Sequence, residues 1–293
     1  MAGRVRQPID EAAFSKFLSE NVPEIKLPID LKQFGFGQSN PTYQITASDA
    51  RKFVMRKKPP GRLVSKTAHK VEREYRIMHA LEHTDVAVPK TYCLCEDDSI
   101  IGTPFYIMEF LDGRIIEDFT LPGVSAAERT AMWKAAVETL ARFHAVDYKA
   151  VGLERYGKPS GFYDRQVQTW SHPLSDVCNL LMQFYTARHA GAAPESAKGF
   201  LPGRTPGLPT EGELLRWYTA ITGYDPQPDM KWGMAFNIFK LAGVCQGIAA
   251  RYARRQASSE KAKQHAVTRV PLAEFAWELA REAGAKGKAE PKL

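Results

Sequence analysis

Leu31-Lys32-Gln33-Phe34-Gly35-Phe36-Gly37-Gln38-Ser39-Asn40-Pro41-Thr42-Tyr43-Gln44-Ile45-Thr46, followed after a short turn by Lys52-Phe53-Val54-Met55-Arg56, reads as three short strands. Leu31 to Phe36, Thr42 to Thr46 and Lys52 to Arg56 are rich in β-formers, and turn-forming residues separate them. The turn Gly35, Phe36, Gly37, Gln38, Ser39, Asn40 can offer backbone N–H groups and the Ser39 and Asn40 side chains to phosphate oxygens. An ordinary hairpin loop has the same composition. Period-two alternation in the third strand puts Val54 and Arg56 on one face. A small apolar residue two positions before a cation suits a roof over a nucleotide base and a clamp on its phosphates. It equally suits an exposed edge strand with solvated basic residues.

Working outward, Lys66 to His83 changes period, with Val71, Tyr75, Met78 and Leu81 on one helical face. Glu74 on this helix is placed to hold Arg56 through an ion pair, whereas Glu72 points about 200° away on the helical wheel. Strands Lys90 to Cys95 and Phe105 to Phe110 follow. Five strands with one inserted helix predict a compact α+β lobe over 28–111, preceded by a helical lead-in over 1–27. The last strand runs through Glu109 and Leu111 into Asp112-Gly113, a suitable hinge for a flat base whose edge pairs with backbone groups.

Beyond Gly113 the chain turns helical, over 112–283. Ser125-Ala126-Ala127-Glu128 matches a capping box before Met132, Ala136, Val137, Leu140 and His144. Pro173 to Tyr185 carries Leu174, Val177, Leu181 and Phe184 on one face. A second capping box, Thr210 to Glu213, precedes Leu214, Tyr218 and Ile221. Asp229 to Gln256 is largely apolar and is expected to be a buried central helix. A final helix is expected over Pro271 to Ala283, and 284–293 reads as a flexible lysine-rich tail.

Hydrophobic residues at 44% and charged residues at 25% of 293 exclude wholesale disorder. No run approaches the ~18 uninterrupted apolar residues of a membrane span, so none is expected. Met1 to Asp10 has no apolar core of a secretory signal. Cys93, Cys95, Cys178 and Cys245 are too few and scattered for a disulfide framework, and Cys93-Leu94-Cys95 reads as strand. The net charge of +7 is dispersed apart from Arg56-Lys57-Lys58 and the tail, so a nucleic-acid partner is not expected.

Taken in order, these features resemble the small lobe of protein-kinase-like phosphotransferases, and more closely the aminoglycoside phosphotransferase/choline kinase-like family. The wording Phe-Gly-Gln-Ser-Asn-Pro-Thr-Tyr, Val-Met-Arg-Lys-Lys-Pro-Pro-Gly, Val-Glu-Arg-Glu-Tyr-Arg and Ile-Gly-Thr-Pro-Phe-Tyr-Ile-Met-Glu-Phe looks like the subgroup fused, in animals, to acyl-CoA dehydrogenases. The resemblance covers about residues 8 to 256 and implies a two-lobed fold, a small β-rich lobe and a mainly helical one. It implies ATP and magnesium as cofactors and transfer of the γ-phosphate to a small-molecule hydroxyl, with a hydroxyacyl compound favoured. Gly35, Gly37, Gln38, Ser39, Asn40, Val54, Arg56, Glu74, Glu109 and Leu111 would then surround the nucleotide. Trp232, Phe236, Asn237 and Lys240 would face the acceptor, with plain core packing as the other reading.

The same resemblance implies a loop of the form His-Gly-Asp-x-x-x-x-Asn and an Asp-Trp-Glu-like strand that ligates the metal. None of the histidines at 69, 79, 83, 144, 172, 189 and 265 is followed by Gly-Asp. His144-Ala145-Val146-Asp147 is an imitation at a helix end, with His144 expected to be packed. Gly161 to Trp170 meets Ser171-His172-Pro173-Leu174-Ser175-Asp176 directly, where relatives carry several tens of intervening residues with both catalytic carboxylates. No catalytic or metal residue is therefore assigned, and only Arg56, Lys57 and backbone amides remain to meet a triphosphate. The expectation is an inactive phosphotransferase, the alternative a non-catalytic nucleotide-binding or regulatory module. A cytoplasmic location is expected. The alternative is peroxisomal, because Lys292-Leu293 after Pro291 matches the end of a Ser-Lys-Leu address.

Overall fold

A computed structural model describes residues 2–34, 40–60, 70–156, 173–189, 191–192, 195–253 and 262–284. The chain divides into two compact units, Met1–Ile115 with Val146–Gly157, and Ile116–Ala145 with Lys158–Leu293.

The first unit is an antiparallel sheet of strands β1 (Ala2–Gly3), β2 (Asp30–Phe34), β3 (Thr42–Thr46), β4 (Lys52–Lys57), β5 (Thr91–Cys95) and β6 (Phe105–Glu109), in the order β1-β2-β3-β4-β6-β5. All five expected strands are present. The sixth, β1, pairs only Ala2 with Phe34 and Gly3 with Gln33, too short a run to leave a pattern in the sequence. Strict alternation along β4 sends Phe53, Met55 and Lys57 to one face and Val54 and Arg56 to the other. Helix α1 (Glu11–Asn21), N-capped by Asp10, covers the first face: Phe14 and Leu18 are fully buried with Tyr43, Ile45, Phe53, Met55, Phe105 and Ile107. Phe14 meets Phe105 edge-on at 5.6 Å. Helix α2 (Val71–Leu81) lies on the opposite face, where Tyr75 tilts against Tyr106 at 6.2 Å. Residues 146–156 also belong to this unit: the Tyr156 ring lies under the Arg73 guanidinium at 4.3 Å, and Arg76 donates to the Gly152 carbonyl at 3.1 Å.

The second unit is helical: α3 (Ala126–Ala145), α4 (Pro173–Thr186), α5 (Glu211–Thr222), α6 (Met230–Ala253) and α7 (Ala262–Gly284), with 3-10 turns at Glu195–Phe200 and Gln227–Asp229. Both capping boxes form. The Ser125 amide donates to Glu128 at 2.9 Å and the Glu128 amide to Ser125 Oγ at 3.2 Å, and Thr210 and Glu213 exchange the same pair. The buried line of α3 is Arg129, Trp133, Val137 and Ala141; of the expected Met132, Ala136, Val137, Leu140 and His144 face only Val137 is fully buried, Met132, Leu140 and His144 being half-buried and Ala136 exposed. Trp133 meets Phe184 at 5.4 Å and Phe200 at 6.1 Å, both edge-on, and this aromatic knot sets the rotation of α3.

Helix α6 buries one face only. Met230, Met234, Ile238, Ala242 and Cys245 enter the core, as expected of a central helix, whereas Trp232, Phe239 and Val244 on its other side are exposed. Within Gln227–Ala250 an 18-residue window reaches a mean hydropathy of 1.2, so by length and composition this one helix, among the described residues, is long and apolar enough to cross a membrane. Helix α7 starts nine residues before the expected Pro271, which sits inside it. The Pro271 ring lies where a side chain at Gly191 would meet it at 3.1 Å, so the proline contributes packing rather than a helix start. Leu272, Phe275, Ala276 and Leu279 are buried as the spacing predicts.

Candidate functional site

The outer face of the sheet holds a cleft of about 830 Å³ within the first unit. Its walls come from three strands and the segment after β6: Thr42 and Gln44, Val54 and Arg56, then Met108 to Gly113, with Lys32, Phe34, Pro89 and Ile115 at its margins. The pleat explains the membership. Thr42 pairs with Arg56, Gln44 with Val54, and Val54 with Met108, so neighbouring strands turn the same register positions to one side. Phe34 and Phe110 stack at 6.5 Å with planes 13° apart, giving the cleft a flat aromatic margin.

At one end Arg56 Nε lies 2.8 Å from Glu74 Oε2, so the expected ion pair between β4 and α2 is in place. The Glu74 carboxylate has further partners: Tyr106 Oη donates to Oε2 at 3.0 Å and Asn40 Nδ2 to Oε1 at 2.8 Å. Burial, together with the adjacent Glu74 charge, pushes the Tyr106 phenol well up from its ordinary value, so it remains a donor. A carboxylate held by three groups fixes the guanidinium while leaving its outer nitrogens for a ligand. Glu109 and Leu111 lie at the other end. The Glu109 amide donates to the Lys90 carbonyl at 2.8 Å and its carboxylate accepts from the Lys90 amide at 3.2 Å. Among the described residues the Leu111 amide makes no hydrogen bond, and the residue is exposed.

Val54, Arg56, Glu109 and Leu111 thus line one cleft, with Glu74 and Asn40 behind Arg56; Gly35, Gly37, Gln38 and Ser39 lie outside the described residues. Lys57 does not join them. It is 4% exposed on the helix-covered face, its Nζ donates to the Ile101 carbonyl at 3.3 Å, and burial holds its ammonium below the usual lysine range. The expectation that Lys57 could meet a phosphate is therefore corrected. Tyr106, Met108 and the Phe34–Phe110 stack were not singled out in the sequence. Extending the β4 alternation to β6 would have marked Tyr106 and Met108.

The four residues expected at the acceptor separate. Asn237 is buried, accepting from Ser175 Oγ at 3.1 Å and donating to the Gly233 carbonyl at 2.9 Å, so it serves core packing. Trp232 stacks on Phe236 at 5.9 Å and Lys240 Nζ lies 5.5 Å above the Phe236 ring, on the more open side of α6. The imitation His144-Ala145-Val146-Asp147 is no catalytic loop. His144 Nδ1 contacts Tyr218 Oη at 2.7 Å and Nε2 contacts Asp176 Oδ2 at 3.3 Å, whereas Asp147 caps the next turn through the Lys149 amide. Cys93 and Cys95 are free strand thiols, and burial pushes Cys93 up to about 12.

Among the described residues, the cleft offers few groups that could help to hold a magnesium ion beside a nucleotide's phosphates. The cleft's own carboxylates are Glu109, engaged with the Lys90 amide, and Asp112. Among the described residues no three His, Cys, Asp or Glu side chains gather.

A family model described as phosphotransferase enzyme family matches residues 30–201. The chain is 32% identical to rat acyl-CoA dehydrogenase family member 11, covering 93% of this chain and 43% of that protein. It is 34% identical to mouse acyl-CoA dehydrogenase family member 10, covering 88% and 30% respectively. It therefore spans less than half the length of these curated relatives. The rat alignment runs over 342 residues, more than the 293 of this chain, so that relative has residues within the aligned span with no counterpart here. A solved structure from Ralstonia eutropha, assigned as an aminoglycoside phosphotransferase, superposes with a TM-score of 0.75 at 31% identity, over 94% of this chain and 99% of the other. Sheet, helix and helical unit agree with that likeness, and the chain belongs to the phosphotransferase enzyme family.

Proposed function

We propose that this chain is a nucleotide-binding phosphotransferase domain that does not transfer phosphate efficiently. The observation that carries the reading is the Arg56–Glu74 pair at the end of the cleft, with Val54 and Met108 above and the Leu111 amide at the far edge. That is a place for a flat base with its phosphates towards a fixed cation. Phosphoryl transfer also needs a residue to orient the acceptor hydroxyl and a metal to neutralise developing charge. The sequence has no His-Gly-Asp-x-x-x-x-Asn, and the break falls at Trp170–Ser171, outside the described residues. The length of the alignment with the rat relative favours a missing segment over gradual decay. In the complete form the acceptor would be a hydroxylated acyl compound, with Trp232, Phe236 and Lys240 as an aromatic and cationic surface for it.

Purified as written, the chain should show no γ-phosphate transfer above background to hydroxyacyl compounds, choline or aminoglycosides. Turnover that disappears in Asp176→Asn would overturn the inactive assignment. A second reading, a non-catalytic module that responds to nucleotide, is favoured by the formation of the Arg56–Glu74 pair although the catalytic residues are missing.

A further inference from the structure

Resting on the nucleotide reading of the cleft, we infer that Tyr156 is a positioning residue for its phosphate end, holding α2 where Glu74 meets Arg56. Of α2 only Val71 and Leu81, at its two ends, are fully buried, so apolar packing grips the middle of the helix weakly. Polar ties add to that grip. The Glu74 carboxylate takes Arg56 Nε at 2.8 Å, Tyr106 Oη at 3.0 Å and Asn40 Nδ2 at 2.8 Å. One residue earlier, the Arg73 guanidinium lies 4.3 Å from the centre of the Tyr156 ring and donates to the Tyr156 carbonyl at 3.4 Å. Tyr156 Oη returns a bond to the Arg73 carbonyl at 3.2 Å. Arg76 adds its bond to the Gly152 carbonyl at 3.1 Å.

The segment that clamps α2 is itself fixed by consecutive turns. The Gly152 amide donates to the Lys149 carbonyl at 3.0 Å, the Leu153 amide to Tyr148 at 2.7 Å and the Tyr156 amide to Leu153 at 2.9 Å. Gly152 turns the chain with φ at 73°, a conformation that glycine adopts without strain. Because Tyr156 Oη is bonded to the backbone of Arg73, it fixes the helix itself and not only a long side chain. Glu74 is the next residue, so a shift of α2 that breaks the clamp carries its carboxylate away from Arg56 and weakens the pair. The base end does not depend on α2, since Val54 and Met108 lie on β4 and β6 and Leu111 follows β6.

The test is calorimetry on the full chain with ATP and magnesium and, in parallel, with adenosine, which lacks the phosphates that Arg56 would meet. Tyr156→Ala should weaken ATP about fivefold and leave adenosine within about twofold. Tyr156→Phe, which keeps the ring under Arg73, should recover most of the loss. In Glu74→Gln, where the pair has already lost its carboxylate charge, adding Tyr156→Ala should cost ATP less than about twofold more. If circular dichroism shows Tyr156→Ala unfolded, Arg73→Lys takes its place: lysine lacks the flat fork, and ATP should weaken about threefold with adenosine unmoved. Equal losses of ATP and adenosine, no loss of ATP, or the full fivefold loss (about that in the parent) repeated in Glu74→Gln overturns the positioning role while leaving a nucleotide site. A parent that binds adenosine but not ATP overturns the inference, and one that binds neither overturns the nucleotide reading as well.

Discussion

Arg56 and Lys57 are chain neighbours that the pleat of β4 sends to opposite fates. Arg56 lies beside Glu74 at the cleft, while Lys57 carries an ammonium into the layer between sheet and α1 for one 3.3 Å hydrogen bond. Burial disfavours the charged form and lowers the Lys57 pKa from 10.5. The unfolded chain then holds its proton to higher pH than the folded chain does. Between the two values the unfolded state binds more protons, so stability rises with pH; below the folded value the penalty is constant. Lys57→Met should therefore stabilise the chain by about 1 kcal/mol at pH 7. Its advantage should shrink towards pH 10, where the parent sheds its penalty. Urea unfolding at the two pH values reads both effects. A variant less stable than its parent at pH 7 would mean that the bond to Ile101 outweighs the burial of charge.

The elements of the second unit are locked by a buried cation that has carbonyls for partners. Arg129, 7% exposed, donates to the carbonyls of Thr120 at 2.7 Å, Leu121 at 2.9 Å and Val124 at 3.2 Å, and to that of Pro206. It thereby ties the start of α3 to two loops, and Thr130 Oγ1 adds a bond to the Gly207 carbonyl at 2.7 Å. Arg129→Met should cost about 3 kcal/mol or more by leaving buried carbonyls unpaired, and Arg129→Lys should recover only part of it; denaturant unfolding measures both. A loss under 1 kcal/mol in Arg129→Met would show that water replaces these bonds at about the cost of a surface change. This element also shows where sequence reading stops. The capping boxes and the period-two strands were legible because each is a local pattern set by backbone geometry. The α3 seam was not, since a charged residue at 129 reads as solvent-facing until the loop carbonyls that receive it are known. Pro271 misled for the converse reason: a proline usually opens a helix, and only its contact with Gly191 shows why it lies within one. In the cleft, Val54, Arg56 and Glu74 were legible from strand and helix periods. The withdrawal of Lys57 and the separation of Asn237 from Trp232, Phe236 and Lys240 depend on which face each neighbouring element covers.

At the scale of the whole molecule, a cleft able to hold a nucleotide and a chain able to transfer its phosphate are separate properties. The first depends on alternation in β4 and β6 and on one ion pair. On the proposed reading the second depends on a His-Gly-Asp-x-x-x-x-Asn loop, a word the sequence lacks. Catalysis of phosphoryl transfer is almost wholly positioning and charge stabilisation, and each stabilising group removed costs about 100- to 1000-fold in rate. Inserting the corresponding segment of a longer relative between Trp170 and Ser171 should therefore create magnesium-dependent turnover where the parent has none. The same insertion should raise ATP affinity in the presence of magnesium, because carboxylates that ligate the metal would offset the triphosphate charge that Arg56 cannot meet alone. Changing the inserted loop Asp to Asn should abolish turnover while leaving the fold measured by circular dichroism intact. Arg56→Ala in the insertion variant should weaken ATP binding, since the phosphates would lose their fixed cation. A folded insertion variant that binds ATP with magnesium but transfers no phosphate would place the defect outside the Trp170–Ser171 junction. Turnover by the parent equal to that of the insertion variant would show that the missing segment is not what catalysis requires.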